Sequence, residues 1–175
     1  MNPEPTGRHR VGRDGDEIVL TRTFRAGIDD VWAAITESDR LARWIGVYSG
    51  DPSTGSVDFT MTFEGDENLT STRYDIVRCD PPRLLQVRTV DAYGQWDLTA
   101  ELVETDGVTT LTFSQVVHDP AIVESVGPGW EYYLDRLGAS LTRDDPAAID
   151  FDDYYPAQRD HYLAIAAGIG THRAD

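Results

Sequence analysis

One long amphipathic helix is the sequence feature that most constrains how this chain can fold. It is predicted over residues 129–141, where Pro128 and Gly129 mark a start and bulky apolar residues recur at helical spacing. The apolar side consists of Trp130, Tyr133, Leu134, Leu137 and Leu141. The opposite side carries Glu131, Asp135 and Arg136, and we expect it to face water. Such a helix must lie on a large apolar surface.

The preceding segments can supply that surface as β-strands. Alternating apolar and polar residues predict a strand over residues 16–25 and a six-strand antiparallel meander between residues 46 and 117. Two short helices are predicted between them, at residues 28–36 and 38–44. We therefore expect an α+β fold in which a curved antiparallel sheet of about six to seven strands wraps around the long C-terminal helix and leaves a cavity.

The chain divides into three predicted parts. Residues 1–15 show no periodicity and are expected to form a flexible N-terminal arm, whereas residues 16–143 form the folded domain. Residues 144–175 begin as an acidic linker and end as a helical extension. The tyrosines of this extension indicate that it docks, either on its own domain or on a second copy of the chain in a homodimer. The domain is expected to fold without it.

The charge of the chain excludes several classes of partner. Fifteen arginines, with no lysine, stand against 31 Asp and Glu, which gives a formal charge of −16. Such an acidic surface repels nucleic-acid phosphates and anionic lipids, so neither nucleic acid nor a membrane is an expected partner. The sequence shows no apolar run long enough to span a bilayer and no signal-peptide pattern, which favours a cytoplasmic location.

The sequence contains no recognisable catalytic or metal-binding motif. Its histidines, His9, His118, His161 and His172, show neither helical pairing nor a cysteine at metal-ligand spacing. The single cysteine, Cys79, provides no intrachain disulfide. The aspartates after residue 143 lack the ligand order of a calcium loop. We therefore expect no catalytic residue, no metal and no cofactor.

Aromatic and polar residues on the inward strand positions and the long helix are the candidate ligand site. The set is Phe59, Phe63, Tyr74, Trp96, Phe113, Gln115, His118, Trp130 and Tyr133. Four of them could orient a ligand through polar atoms, namely Tyr74, Gln115, His118 and Tyr133. The alternative is that these side chains simply fill the core, which their bulk would allow.

Five short motifs occur in an order typical of one protein family. They lie at residues 19–24, 30–36, 41–44, 80–84 and 129–137. Together they resemble bacterial members of the family named after the C-terminal domain of the Hsp90 ATPase activator, within the START/Bet v 1-like (SRPBCC) superfamily. The resemblance implies the helix-grip fold. The chain departs from the family at Gly27-Ile28, where a proline is usual, and residues 144–175 have no counterpart in the compact core.

The resemblance leaves three functions open, because this superfamily hosts different activities on one fold. Our leading hypothesis is non-enzymatic binding of a small hydrophobic or aromatic molecule in the cavity. The first alternative is an aromatase/cyclase- or hydrolase-like enzyme that uses His118 or Tyr74 as an acid–base group. The second alternative is a chaperone-associated interaction domain. Ligand-induced stabilisation would distinguish a binder from a scaffold.

Overall fold

A single antiparallel sheet forms the centre of the protein, in a computed structural model that describes residues 2–170. Its strand order is β1-β2-β8-β7-β6-β5-β4-β3, so the meander from β3 to β8 is continuous, as the alternation predicted. The strands are β1 Arg8–Val11, β2 Asp16–Phe24, β3 Gly46–Ser49, β4 Ser56–Met61, β5 Ser71–Asp80, β6 Leu84–Asp91, β7 Gly94–Thr105 and β8 Val108–Val116.

Four α-helices complete the described part of the chain. They are α1 Ile28–Thr36, α2 Ser38–Leu41, α3 Val123–Ser140 and α4 Arg159–Gly168. The main core lies between α3, α1 and the concave face of the sheet, and it includes Leu20, Val31, Leu111, Leu134 and Leu137. This arrangement confirms the α+β helix-grip fold. No described helix has the length and apolar composition needed to cross a membrane.

The long helix begins earlier than its sequence indicated. Helix α3 starts at Val123, so Pro128 lies inside it rather than at its beginning. A 3₁₀ turn precedes the helix, and the Asp119 carboxylate accepts the Ala121 N–H there at 2.9 Å. Pro128 is the sixth residue of this helix and has no N–H to donate to the Glu124 carbonyl, so one bond of the helical ladder is missing there.

The N-terminal arm is not a loose segment, contrary to the prediction for residues 1–15. Strand β1 pairs with β2, with Arg8 opposite Val19 and Val11 opposite Asp16. This edge strand is the eighth of the sheet, which explains the difference from the predicted six to seven. Charged residues alternate poorly with apolar ones in β1, so the sequence carries no period-two signal there.

The side of α3 predicted to face water is largely buried. Glu131 is 1% exposed, because the arm and the C-terminal extension cover it. Its carboxylate accepts hydrogen bonds from the Thr6 N–H at 2.5 Å, the Gly7 N–H at 2.9 Å, Arg22 at 2.6 Å and the Tyr162 hydroxyl at 2.5 Å. Burial alone would raise the pKa of Glu131, but these bonds hold that pKa below its ordinary value.

Arg22 connects this carboxylate to a second one on the same helix. Its guanidinium also donates to Asp135 at 2.9 Å, and Asp135 accepts the Tyr154 hydroxyl at 2.7 Å. Strand β2, helix α3 and the extension are thereby tied by charge-assisted hydrogen bonds. The extension thus contacts its own domain in this structure.

Two glycines make room for the ring of Tyr162. A Cβ at Gly127 would lie 2.1 Å from the Tyr162 ring, and one at Gly7 would lie 2.2 Å from its hydroxyl oxygen. Tyr162 is fully buried as a result. The close approach of α4 to α3 therefore requires these two positions to lack a side chain.

Arg136 is buried on the same side of α3, at 3% exposure. It donates to the Trp44 carbonyl at 3.0 Å and to the Pro146 carbonyl at 2.7 Å, and its guanidinium lies 4.0 Å from the Phe63 ring centroid. Carbonyl and aromatic partners therefore replace the water expected around this cation.

The first prediction concerns the hydroxyl of Tyr162. Tyr162→Phe keeps the ring but removes one hydrogen bond to a buried carboxylate, so the free energy of unfolding should fall by about 1.5–3 kcal/mol. Tyr155→Phe is the matched control, because the Tyr155 hydroxyl makes no hydrogen bond within residues 2–170, and it should change stability by about 0.5 kcal/mol or less. Denaturant melts measure both; equal effects would contradict the role given to this hydroxyl.

The second prediction concerns pH. A carboxyl whose folded pKa is depressed stabilises the protein above its ordinary pKa, here 4.5, and that stabilisation is lost as pH falls through the folded pKa. The Glu131→Gln variant has no titrating group at this position, so this pH-dependent stabilisation is absent from it at every pH. The stability difference between the wild type and Glu131→Gln should therefore be largest near neutrality and should shrink below pH 4.5. A difference that stays constant in acid would show that the Glu131 pKa is not depressed.

Candidate ligand site

A cavity of about 230 Å³ lies between the concave face of the sheet and the helices. Its wall draws on α1, α2, α3 and strands β3 to β8. Most of the wall is hydrocarbon, contributed by Ile35, Leu41, Trp44, Ile45, Val57, Phe59, Met61, Ile76, Leu85, Val87, Leu98, Ala100, Phe113 and Trp130. None of the described residues that line it is charged.

Four of the nine predicted site residues line this cavity. Phe59 and Tyr74 meet edge to face across β4 and β5, with ring centroids 5.3 Å apart. Phe113 of β8 and Trp130 of α3 lie 4.4 Å apart at the other wall. Because strand side chains alternate between faces, the period-two pattern was sufficient to identify the three strand residues.

Two predicted residues lie behind the wall. Gln115 is 2% exposed, and its amide oxygen accepts the Trp130 indole N–H at 2.6 Å. Gln115 therefore orients the indole rather than lining the cavity. The buried Tyr133 hydroxyl donates to Glu64, and burial together with this carboxylate raises the pKa of Tyr133.

Phe63 and Trp96 are also outside the cavity. Strand β4 ends at Met61, so the alternation that was extended to Phe63 stops before it, and the ring packs under Arg136 instead. Trp96 lies two residues before Leu98 on β7, on the same face of the sheet, but it does not line the cavity. Its indole N–H is buried and has no hydrogen-bond partner among the described residues.

His118 lies on the opposite face of the sheet. Its Nε2 is 2.7 Å from an Asp97 oxygen, and Asp97 must point away from the cavity because its neighbour Leu98 points toward it. Arg88 donates to the other Asp97 oxygen at 2.5 Å. Burial alone would raise the pKa of Asp97, but the bonds from Gln95, His118 and Arg88 lower it. The predicted placement of His118 at the cavity mouth is therefore wrong.

The other histidines are also remote from the cavity. His9 pairs with the buried Asp16 at 2.8 Å, and His161 Nε2 is 2.7 Å from the Gly7 carbonyl oxygen. His172 lies outside the described residues. Within residues 2–170, no three His, Cys, Asp or Glu side chains are grouped as metal ligands.

Sequence reasoning missed four polar residues of the wall, Thr36, Tyr48, Cys79 and Thr99. Tyr48 of β3 donates its hydroxyl to the Thr36 carbonyl at 3.0 Å. Cys79 reaches the wall because the β5–β6 register shifts between Ile76 and Arg78, which changes the face of every later residue. No sequence signal marked this bulge. Partial burial and the neighbouring Asp80 raise the pKa of the Cys79 thiol.

A curved antiparallel sheet closed by a long C-terminal helix, with an apolar cavity between them, defines a helix-grip protein. The chain belongs to the family described as "Activator of Hsp90 ATPase homolog 1-like protein", whose sequence profile matches residues 25–142. The matched region includes β3 to β8, α1, α2 and α3, and so it contains the whole cavity wall.

Solved structures share the fold at low sequence identity. CalU16 from Micromonospora echinospora is 24% identical, with 94% of this chain and 98% of that chain covered and a TM-score of 0.71. EF2215 from Enterococcus faecalis, a conserved protein of unknown function, is 21% identical. The match covers 90% of this chain and 88% of that chain, with a TM-score of 0.66. DynU16, a putative protein in the dynemicin biosynthetic locus, is 19% identical. The match covers 74% of this chain and 49% of that chain, with a TM-score of 0.57. No curated protein matches the chain significantly.

The third prediction concerns the bond that orients the cavity indole. Trp130→Phe leaves the buried Gln115 oxygen without its donor, which costs about 1–3 kcal/mol beyond the lost ring contacts. Gln115→Leu, added to Trp130→Phe, removes the unpaired amide and should recover part of that loss. Chemical denaturation of the two single variants and the double variant forms a double-mutant cycle. Strictly additive effects would show that the two side chains are not coupled.

Proposed function

We propose that this protein binds a small hydrophobic molecule in the cavity and does so without chemistry. The observation that carries the proposal is a cavity of about 230 Å³ whose wall is nearly all hydrocarbon and is contributed by the sheet and three helices. Apolar concave sites with few polar groups are where proteins bind small ligands. Burial of an apolar ligand there is favourable because it removes hydrocarbon surface from water.

The short side chains of Ala100 and Val87 leave room on the concave face of the central strands. Ala100 lies opposite Phe113 in the β7–β8 register, and Val87 lies opposite Leu98 on the neighbouring pair. All four line the cavity. Protein interiors are normally close-packed, so room of this size between the sheet and the helices supports a binding role.

The size of the cavity limits the ligand. Sites for drug-sized ligands are usually about 300–1,000 Å³, and this cavity is smaller. The ligand we propose is therefore compact, on the scale of one or two fused rings. DynU16, whose gene lies in a biosynthetic locus, supports an association of this fold with small molecules.

The geometry favours binding over the enzymatic alternative. Of the two acid–base groups considered, His118 lies on the other face of the sheet, bonded to Asp97. Tyr74 does line the cavity, but no His, Asp or Glu among the described residues lines it with Tyr74, and the Tyr48 hydroxyl is already bonded to the Thr36 carbonyl. Acid–base catalysis usually needs a positioned partner within hydrogen-bond reach of the reacting group.

The test is ligand-induced stabilisation with a panel of neutral one- and two-ring compounds. Binding to the folded state raises the melting temperature by mass action, by an amount that grows with ligand concentration. Ala100→Phe should fill the cavity and abolish the shift while the protein stays folded. Val103→Phe is the matched control, because Val103 lies on the same strand at 59% exposure, and it should keep the shift. Equal shifts in both variants would place binding elsewhere, and steady turnover of a compound would overturn the binder proposal.

A further inference from the structure

We propose that the ligand is a neutral molecule with a hydrogen-bond-accepting oxygen, such as a cyclic ketone, and that the Tyr74 hydroxyl donates to that oxygen. This inference rests on the proposed binding function and names the chemistry of the ligand. It assigns to Tyr74 the role of a specificity-determining residue.

Four other strong hydrogen-bond donors in the wall are already used within the protein. The Tyr48 hydroxyl donates to the Thr36 carbonyl at 3.0 Å. The Thr36 hydroxyl donates to the Trp32 carbonyl at 2.7 Å. The Trp44 indole N–H donates to the Ala34 carbonyl at 2.9 Å. The Trp130 indole N–H donates to the Gln115 amide oxygen at 2.6 Å. None of these donors is available to a ligand without breaking a bond inside the protein. The hydroxyl of a fifth wall residue, Thr99, accepts from the Gln86 amide at 3.4 Å. Thr99 alternates with Leu98 and Ala100, so its side chain points to the other face of the sheet.

Tyr74 is different from those groups. Its hydroxyl makes no hydrogen bond with any residue in the part of the chain that the structure describes, and the side chain lines the cavity. Its cross-strand neighbour Thr89 cannot serve as a donor to it, because the Thr89 hydroxyl is directed to the Arg73 carbonyl at 2.7 Å. The edge-to-face contact with Phe59 fixes the ring on the cavity floor. The hydroxyl of this partly buried side chain can therefore donate to a ligand atom without breaking a bond inside the protein.

The protonation state of Tyr74 fixes its role. Burial, with a smaller effect from nearby Asp91, raises the pKa of Tyr74 to about 12. The hydroxyl is therefore fully protonated at neutral pH and can donate to a carbonyl oxygen. The remaining thiol in the wall, Cys79, is only a weak donor and does not compete for such an acceptor.

The same surroundings disfavour charged ligands. No charged side chain among residues 2–170 lines the cavity, so a carboxylate, a phosphate or an ammonium group would enter without a counter-charge. Burying an unpaired charge is far more costly than burying a neutral carbonyl that has a hydrogen-bond donor. Asp91, close enough to shift the Tyr74 pKa, opposes an anion further. Compounds that would bury a carboxylate or a phosphate are thereby disfavoured relative to neutral cyclic ketones and related compounds.

Three probes with similar two-ring skeletons separate these properties. They are 1-tetralone, a neutral ketone; tetralin, its hydrocarbon counterpart; and 1-naphthoate, an anion. Isothermal titration calorimetry on the full chain should show 1-tetralone binding about 2–12-fold more tightly than tetralin, which is the effect of one hydrogen bond. We expect 1-naphthoate to bind more weakly than either.

Matched tyrosine variants assign the preference to one hydroxyl. Tyr74→Phe keeps the ring and should bring the affinities for 1-tetralone and tetralin to within about twofold of each other, mainly by weakening 1-tetralone. Tyr155→Phe is the matched control, because the Tyr155 hydroxyl also makes no hydrogen bond within residues 2–170 but does not line the cavity, and this variant should keep the preference. Circular dichroism melts confirm that each variant is folded.

The outcomes distinguish this inference from the proposed function. If tetralin and 1-tetralone bind the wild type equally, or if Tyr74→Phe keeps the preference, the role of Tyr74 is overturned while binding in the cavity stands. If 1-naphthoate binds most tightly, ligand neutrality is overturned. If no probe and no panel compound binds, the proposed function fails and this inference fails with it. The wild-type comparison remains decisive if Tyr74→Phe does not fold.

Discussion

The buried carboxylate of Glu131 is the group on which the arrangement of the whole chain depends. An ionised side chain at 1% exposure is tolerated only when donors surround it, and here they come from the arm, from β2 and from α4. These bonds fix both the position and the rotation of α3 over the sheet. Because Trp130 precedes Glu131 on the helix, the same rotation directs the indole toward Gln115 and the cavity.

The parts of the fold that local patterns specify could be read from the sequence. Period-two alternation identified the meander and placed Phe59, Tyr74 and Phe113 on the concave face, and helical spacing directed Trp130 toward the sheet. Each of these inferences depends on residues a few positions apart. Register and face follow directly from such spacing when one side of a strand is buried.

The remaining features depend on partners far away in the sequence. Glu131 resembled a water-facing residue because the groups that bury it are more than 100 residues before it and about 30 after it. The end of β4 at Met61 removed Phe63 from the site, and the bulge in β5 brought Cys79 into it. Neither a strand end nor a bulge has a reliable signature in a single sequence, since both depend on the neighbouring strand.

The close packing of Tyr162 against Gly7 and Gly127 also sets the order in which parts of the fold can form during synthesis. Gly7 leaves the ribosome before Tyr162, and the two can meet only after the whole segment between them has been made. Until then, Glu131 has neither the Tyr162 hydroxyl nor a cover over its side of α3. The strands that form the cavity can pair first, while the docking of Gly7 and of helix α4 on α3 is a late, non-local step. A nascent chain stalled before residue 162 would expose this acidic side of α3 to chaperones and proteases.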